Sequence, residues 1–221
     1  MIRETFHEQI KALEQELVNM GDMVIIAIKC ALDALQSQNL DEAEKVVSGD
    51  LRINNKRWAI EEGCINFIAT QQPVASDLRD IITILNITTN LERMGDHAAG
   101  IGKIVLMYGT KPLIKPLIDI PRMADKAISM LKRSLQAFIN RDADAARSIW
   151  YEDDEIDKLH DQVYRELLTY MIENPKNITP ATHLLWISHN LERISDRVTN
   201  ICERVIYLVT GKMEKIRVSK Y

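Results

Sequence analysis

The heptapeptide NLERMGD, Asn90 to Asp96, returns a hundred residues later as NLERISD, Asn190 to Asp196. Asn, Leu, Glu, Arg and Asp keep their places, and Met is exchanged for Ile. An internal repeat changes what one unit of the chain is, so it has to be settled before the fold. Working outward from each copy, the apolar positions Ile84, Ile87, Leu91, Met94, Ala98, Ile101 and Val105 alternate steps of three and four, the seam of one long helix. Leu184, Ile187, Leu191, Ile194, Val198, Ile201 and Val205 repeat that seam at a shift of one hundred.

The repeat extends upstream. Val46, Ile53, Ile60 and Phe67 lie seven apart and match Ile149, Ile156, Val163 and Tyr170 at a shift of 103. The spacing predicts a second helix over 42–69, a third over 76–108, a fourth over 122–139, a fifth over 143–173 and a sixth opening at Thr179-Pro180. The first helix carries Phe6, Ile10, Leu13, Leu17, Met20, Val24, Ala27, Ala31 and Ala34 on its seam. Asp41 and Asp142 are read as N-caps, Pro73 as the end of the second helix and Gly109 as the end of the third. The expected fold is all-α: two tandem three-helix bundles, residues 1–109 and 122–221, joined by a Pro-containing linker at 110–121.

Composition narrows the function. Eight Gly and six Pro in 221 residues favour long uninterrupted elements. A formal charge of -4 supplies no basic field for nucleic acid, and only the stretch Lys212 to Lys220 is locally basic. The longest apolar run, Met23 to Ile28, is far too short to span a membrane. Cys30, Cys64 and Cys202 form no C-x-x-C and fit a reducing compartment. Trp58, Trp150 and Trp186 are read as packing residues.

The chemistry sits in the carboxylates. With Leu91 and Met94 in the core, Glu92 and Asp96 fall four apart on an outward face, as do Glu192 and Asp196, with Asn200 one turn further. Asp50 and Asn54 on the second helix match Asp153 and Asp157 on the fifth. Arg93 and Arg193 can pair with Asp96 and Asp196 at i, i+3. Acidic outer faces are ordinary, but two neighbouring helices that each bring such a row repel unless a multivalent cation neutralises them. Oxygen donors alone leave Mg, Mn, Fe and Zn open. His97, His160 and His189 adjoin the rows and read as solvated or paired side chains. Glu4 and His7 fit E-x-x-H once, near a terminus, and no dinucleotide, Walker or nucleophile-elbow motif occurs.

With QQPVASDLR (Gln71 to Arg79), NLERMGDHA and NLERISDRVTNI on the page, the chain resembles the PhoU family over nearly its whole length. The resemblance implies two three-helix bundles about a pseudo-twofold axis. It also implies a cytoplasmic, non-enzymatic regulator, often a homodimer. Such a protein acts with a Pst-type phosphate ABC transporter and a PhoR-type sensor histidine kinase. It restrains phosphate uptake and phosphate-starvation signalling when phosphate is plentiful.

Carried over by position, the first metal site uses Asp50, Glu92 and Asp96, and the second Asp153, Asp157, Glu192, Asp196 and Asn200, with Fe or Zn ahead of Mg or Mn. The first half departs from the family pattern at Arg52, Asn54 and Gly100, so the second site is expected to bind metal more tightly. Two other classes remain open at this point: a metal-dependent hydrolase using clustered carboxylates, and a helical scaffold whose acids bind nothing.

Overall fold

The computed structural model describes residues 2–214, with side chains from Glu8 to Glu214. Phe6, the Glu4/His7 pair and most of the basic stretch from 212 to 220 lie outside those side chains. Seven α-helices run through the described residues: α1 Ile2–Ser37, α2 Leu40–Gln71, α3 Ser76–Tyr108, α4 Asp119–Asn140, α5 Ala143–Tyr151, α6 Asp153–Glu173 and α7 Ile178–Thr210. One 3-10 turn, Pro175–Asn177, leads into α7. Helices α1, α2 and α3 pack on one another, and α7 packs against α4, α5 and α6, so each half is a bundle.

The seams read from the sequence are the core. All seven predicted seam residues of α3, and all seven of α7, are buried. Each of these helices also buries a second face that the seams do not include, because α3 and α7 pack against each other along their length. They run antiparallel: Asn90 meets Asn200 at 3.4 Å and His97 meets Asn190 at 3.0 Å. Nearer the helix ends, Arg79 reaches the Leu208 carbonyl, and the rings of Tyr108 and His183 stand 6.0 Å apart. Helix α1 likewise buries Ile25, Ile28, Leu32 and Leu35 beside its seam, since it packs on α4 as well as on α2 and α3. Arg141 at the end of α4 pairs there with Glu14 of α1 and, at 2.9 Å, with Asp80 of α3. The apolar core is therefore one body shared by both halves.

Local details correct several boundaries. Asn39, not Asp41, caps α2: its backbone is extended and its side chain accepts from the Glu42 N–H at 3.1 Å. Asp41 and Glu42 sit in the first turn, where the helix dipole favours them. Helix α4 starts at Asp119, so Pro121 lies in its first turn rather than in the linker; proline fits there because the N–H it lacks has no intrahelical partner. Asp142 does cap α5, accepting from Ala145 N–H at 2.9 Å.

The expected fifth helix is two. Its ladder breaks at Glu152, whose N–H turns to the Ile149 carbonyl at 3.1 Å and whose own carbonyl takes Glu155 N–H at 3.1 Å. The Glu152 carboxylate is held by Arg133 of α4 at 2.7 and 2.5 Å. The break places Asp153, Asp154 and Glu155 in the first turn of α6, at the positive end of its dipole. The tryptophan reading fails at two of three positions. Trp58 is 60% and Trp186 49% exposed, while Trp150 is partly buried against the core. No described helix is long and apolar enough to cross a membrane.

Candidate metal centre

Each acidic row lies along a groove between two helices, α2 with α3 in the first half and α6 with α7 in the second. The sequence places these acids on outward faces; the structure corrects this for Glu92, which is only 7% exposed. Arg57 of α2 reaches across the groove to Glu92 Oε1 at 3.0 Å and also holds Glu61 at 2.8 Å. A cation on another helix thus folds the Glu92 carboxylate inward. Asp96, one turn on, is exposed and accepts from Arg93 at 3.1 Å, the expected i, i+3 pair.

Asp50 is half-buried. Its Oδ2 accepts from Asn54 Nδ2 at 2.9 Å, while its Oδ1 is buried without a hydrogen-bond partner. Burial raises the Asp50 carboxyl above the usual range, and the Asp96 charge adds to it. The orphaned oxygen faces Gly95, where a Cβ would stand only 3.2 Å away. Gly95, and Gly102 one heptad on, allow α2 to come close. A Cβ at Gly102 would meet the Ala43 carbonyl at 3.0 Å.

The second half has Ser195 where the first has Gly95, and the difference is chemical. The Ser195 hydroxyl donates to Asp153 Oδ1, so the equivalent carboxylate has the donor that Asp50 lacks. Even so, burial pushes the Asp153 carboxyl up to about 6, with Asp157, Asp196 and Asp154 raising it further and Ser195 opposing. Glu192 is pushed up to about 7, first by burial, then by Asp196, with Asp157 and Asp153 adding to it against Arg193. Its Oε2 is buried and unpartnered in hydrogen-bond terms. Asp196 is also raised by burial, against Arg193, whose guanidinium sits 2.6 Å from its Oδ2.

Asp153, Asp157, Glu192 and Asp196 therefore feel one another's charge. Asn200, read as an extension of this row, turns its amide to Asn90 of α3. His97 binds Asn190 rather than joining the first row, and burial lowers its pKa.

Crowded carboxylates that resist ionisation are the chemistry of a cation site: a multivalent ion supplies the charge the protein withholds. The second row brings four acids together, of which burial raises Asp153, Glu192 and Asp196, and the first row three, of which burial raises Asp50 and Arg57 binds Glu92. Among the described residues no three His, Cys, Asp or Glu side chains stand pre-arranged as a metal cage. Arg93 and Arg193 occupy the carboxylates that an ion would need to share. At the far end of the second row lie two histidines that the sequence left as paired or solvated. His160 bonds Ser188 at 3.0 Å, and His189 Nδ1 stands 3.3 Å from Glu192.

Fold and site together define a class: a tandem three-helix-bundle protein, its halves locked through α3 with α7 and α1 with α4, and its acids repeated in register. The chain belongs to the PhoU family. The PhoU domain matches residues 17–105 and again 120–205, one match per bundle. A phosphate-specific transport system accessory protein PhoU homolog of Clostridium acetobutylicum is 38% identical over 213 residues, covering 96% of this chain and 97% of its own. The phosphate-specific transport system accessory protein PhoU of Escherichia coli is 34% identical, covering 94% of this chain and 86% of its own. The crystal structure of the phosphate transport system regulatory protein PhoU from Streptococcus pneumoniae superposes with a TM-score of 0.89 at 36% identity. It covers 96% of this chain and all of that one. PhoU from Pseudomonas aeruginosa gives 0.88 at 33% identity, covering 94% and 100%.

Proposed function

We propose that this protein is a cytoplasmic accessory regulator of a phosphate-specific transport system. It restrains phosphate uptake and starvation signalling when phosphate is abundant, as an adaptor between a Pst-type ABC transporter and a sensor histidine kinase. The observation that carries this reading is membership in the PhoU family across both halves of the chain, with relatives named for that transport system. The acidic rows serve as its metal-bearing faces, with Fe or Zn ahead of Mg or Mn. The ion neutralises the row and fixes the groove as a docking surface. The protein works as a non-enzymatic binding partner, as a homodimer. The second row is the tighter site. It has four mutually coupled acids and the Ser195 donor, whereas the first has Asn54 in place of an acid and Glu92 tied to Arg57.

The test is made in bacterial cells lacking their own PhoU. Phosphate uptake and a starvation reporter are followed in phosphate-rich medium. Wild type is expected to restore restraint of both, and Glu192→Gln with Asp196→Asn to restore neither while accumulating normally. Full restraint by that variant would remove the second row from the mechanism. Failure of wild type to restrain either readout would overturn the regulatory reading itself.

A further inference from the structure

The second row ends in a pair of imidazoles, one of them held by a neighbouring hydroxyl. His160 on α6 and His189 on α7 face each other with ring centres 6.1 Å apart and planes inclined by 47°. Ser188, next to His189 in sequence, is fully buried, and its Oγ lies 2.9 Å from the Leu185 carbonyl. The same Oγ lies 3.0 Å from His160 Nδ1, so this ring nitrogen is engaged by the buried hydroxyl, as donor or acceptor according to the tautomer. Nε2 is the nitrogen left for a ligand, and an ion bound there would keep the proton on Nδ1, donating to the Ser188 oxygen. A serine locking one nitrogen of an imidazole is the arrangement that orients a histidine toward a metal through the other. On the second helix, His189 Nδ1 lies 3.3 Å from the Glu192 oxygen that has no hydrogen-bond partner.

We propose that His160 and His189 form a nitrogen-donor cation site at the end of the second acidic row. Its ligand class is a borderline divalent ion, Zn, Ni or Co, in preference to Mg, Ca or Mn. Imidazole nitrogens favour the first group, and carboxylate and water the second. The spacing suits one shared ion. With metal–nitrogen bonds about 2 Å long, two imidazoles ligating at a tetrahedral angle place their ring centres roughly 5 Å apart, so the pair closes by about 1 Å on the ion. The imidazoles anchor the ion, Glu192 closes on it by side-chain rotation, and water fills the remaining position. The inference touches the metal reading of the acidic row only through Glu192. It gives the row two chemically distinct ends, oxygen donors around Asp153 and Asp196 and nitrogen donors around His160 and His189.

The experiment titrates chelator-treated protein with Zn, with Co read by its visible absorption, and with Mn read by spin resonance. Wild type is expected to take up a Zn ion, and a Co ion with a tetrahedral spectrum, that His160→Gln/His189→Gln loses. Mn binding should be unchanged in that variant. Ser188→Ala is expected to weaken Zn by about 10- to 100-fold while leaving the ligands in place. If the double variant does not fold, His189→Gln alone decides, since that ring is 58% exposed. Zn bound with the same number and affinity in wild type and in the histidine variants would overturn the site. Mn uptake absent from wild type while Zn still depends on the histidines would count against the acidic row alone and support the histidine site.

Discussion

Metal-free protein carrying Glu192→Gln should be more stable than wild type at pH 8, by on the order of 2–3 kcal/mol. The Glu192 carboxyl is pushed up to about 7 by burial and by Asp196, whereas in the unfolded chain it titrates near the ordinary glutamate value. Between those two pH values the folded state binds the proton and the unfolded state does not. Stability therefore falls as pH rises through this window. Below it both states are protonated and Gln gains nothing. Above it the folded state carries the full cost of a crowded charge, and Gln removes it. Asp153, pushed up to about 6, adds to the same slope. Urea denaturation in chelator from pH 4.5 to pH 8.5 reads the effect as a difference that opens with pH. A difference independent of pH, or a variant less stable at pH 8, would show that Glu192 is not held against its charge. A divalent cation added at pH 8 should stabilise wild type more than the variant, because only wild type offers the ion that carboxylate.

The second large effect concerns the shared core. Leu91→Ala and Leu191→Ala are each expected to cost about 2–5 kcal/mol, the range for truncating a fully buried leucine. Both side chains are completely buried, at equivalent points of α3 and α7. These helices pack against each other as well as within their own bundles, so the loss in one half is felt in the other. Each variant should unfold in a single transition, with hydrogen exchange in α2 and α6 accelerated together whichever leucine is cut. Two separate transitions, with only the mutated half weakened, would mean that the bundles are stable independently.

What could be read in the sequence was whatever repeats with a period. The α3 and α7 seams follow from apolar spacing alone, and the heptapeptide repeat fixed the two-bundle plan. Contacts between periodic elements were not legible. Glu92 looks outward on a helical wheel; only Arg57, thirty-five residues away on another helix, explains why it is buried. The interface between α3 and α7 includes Asn90, His97, Asn190 and Asn200, polar residues that carry no apolar signal. The break at Glu152 leaves no Gly or Pro to mark it, since an Arg133 contact and a run of three acids stabilise the turn. Trp58 and Trp186 are large and apolar and so read as packing residues, but residue type does not reveal which helix face lacks a neighbour. No sequence pattern sets the histidine pair apart, because its signal, the buried hydroxyl of Ser188, is visible only once α6 and α7 are side by side.

On the proposed reading the second acidic row holds metal without being needed to hold the fold. Its most direct test is elemental analysis of protein purified without chelator, wild type beside Glu192→Gln/Asp196→Asn, with circular dichroism on both. Bound metal is expected in wild type, less metal in the variant, and the same helicity in each, because the core seams of α6 and α7 do not include these acids. Wild type that carries no metal as purified, and takes up none of Fe, Zn, Mn or Mg when they are supplied, would contradict it.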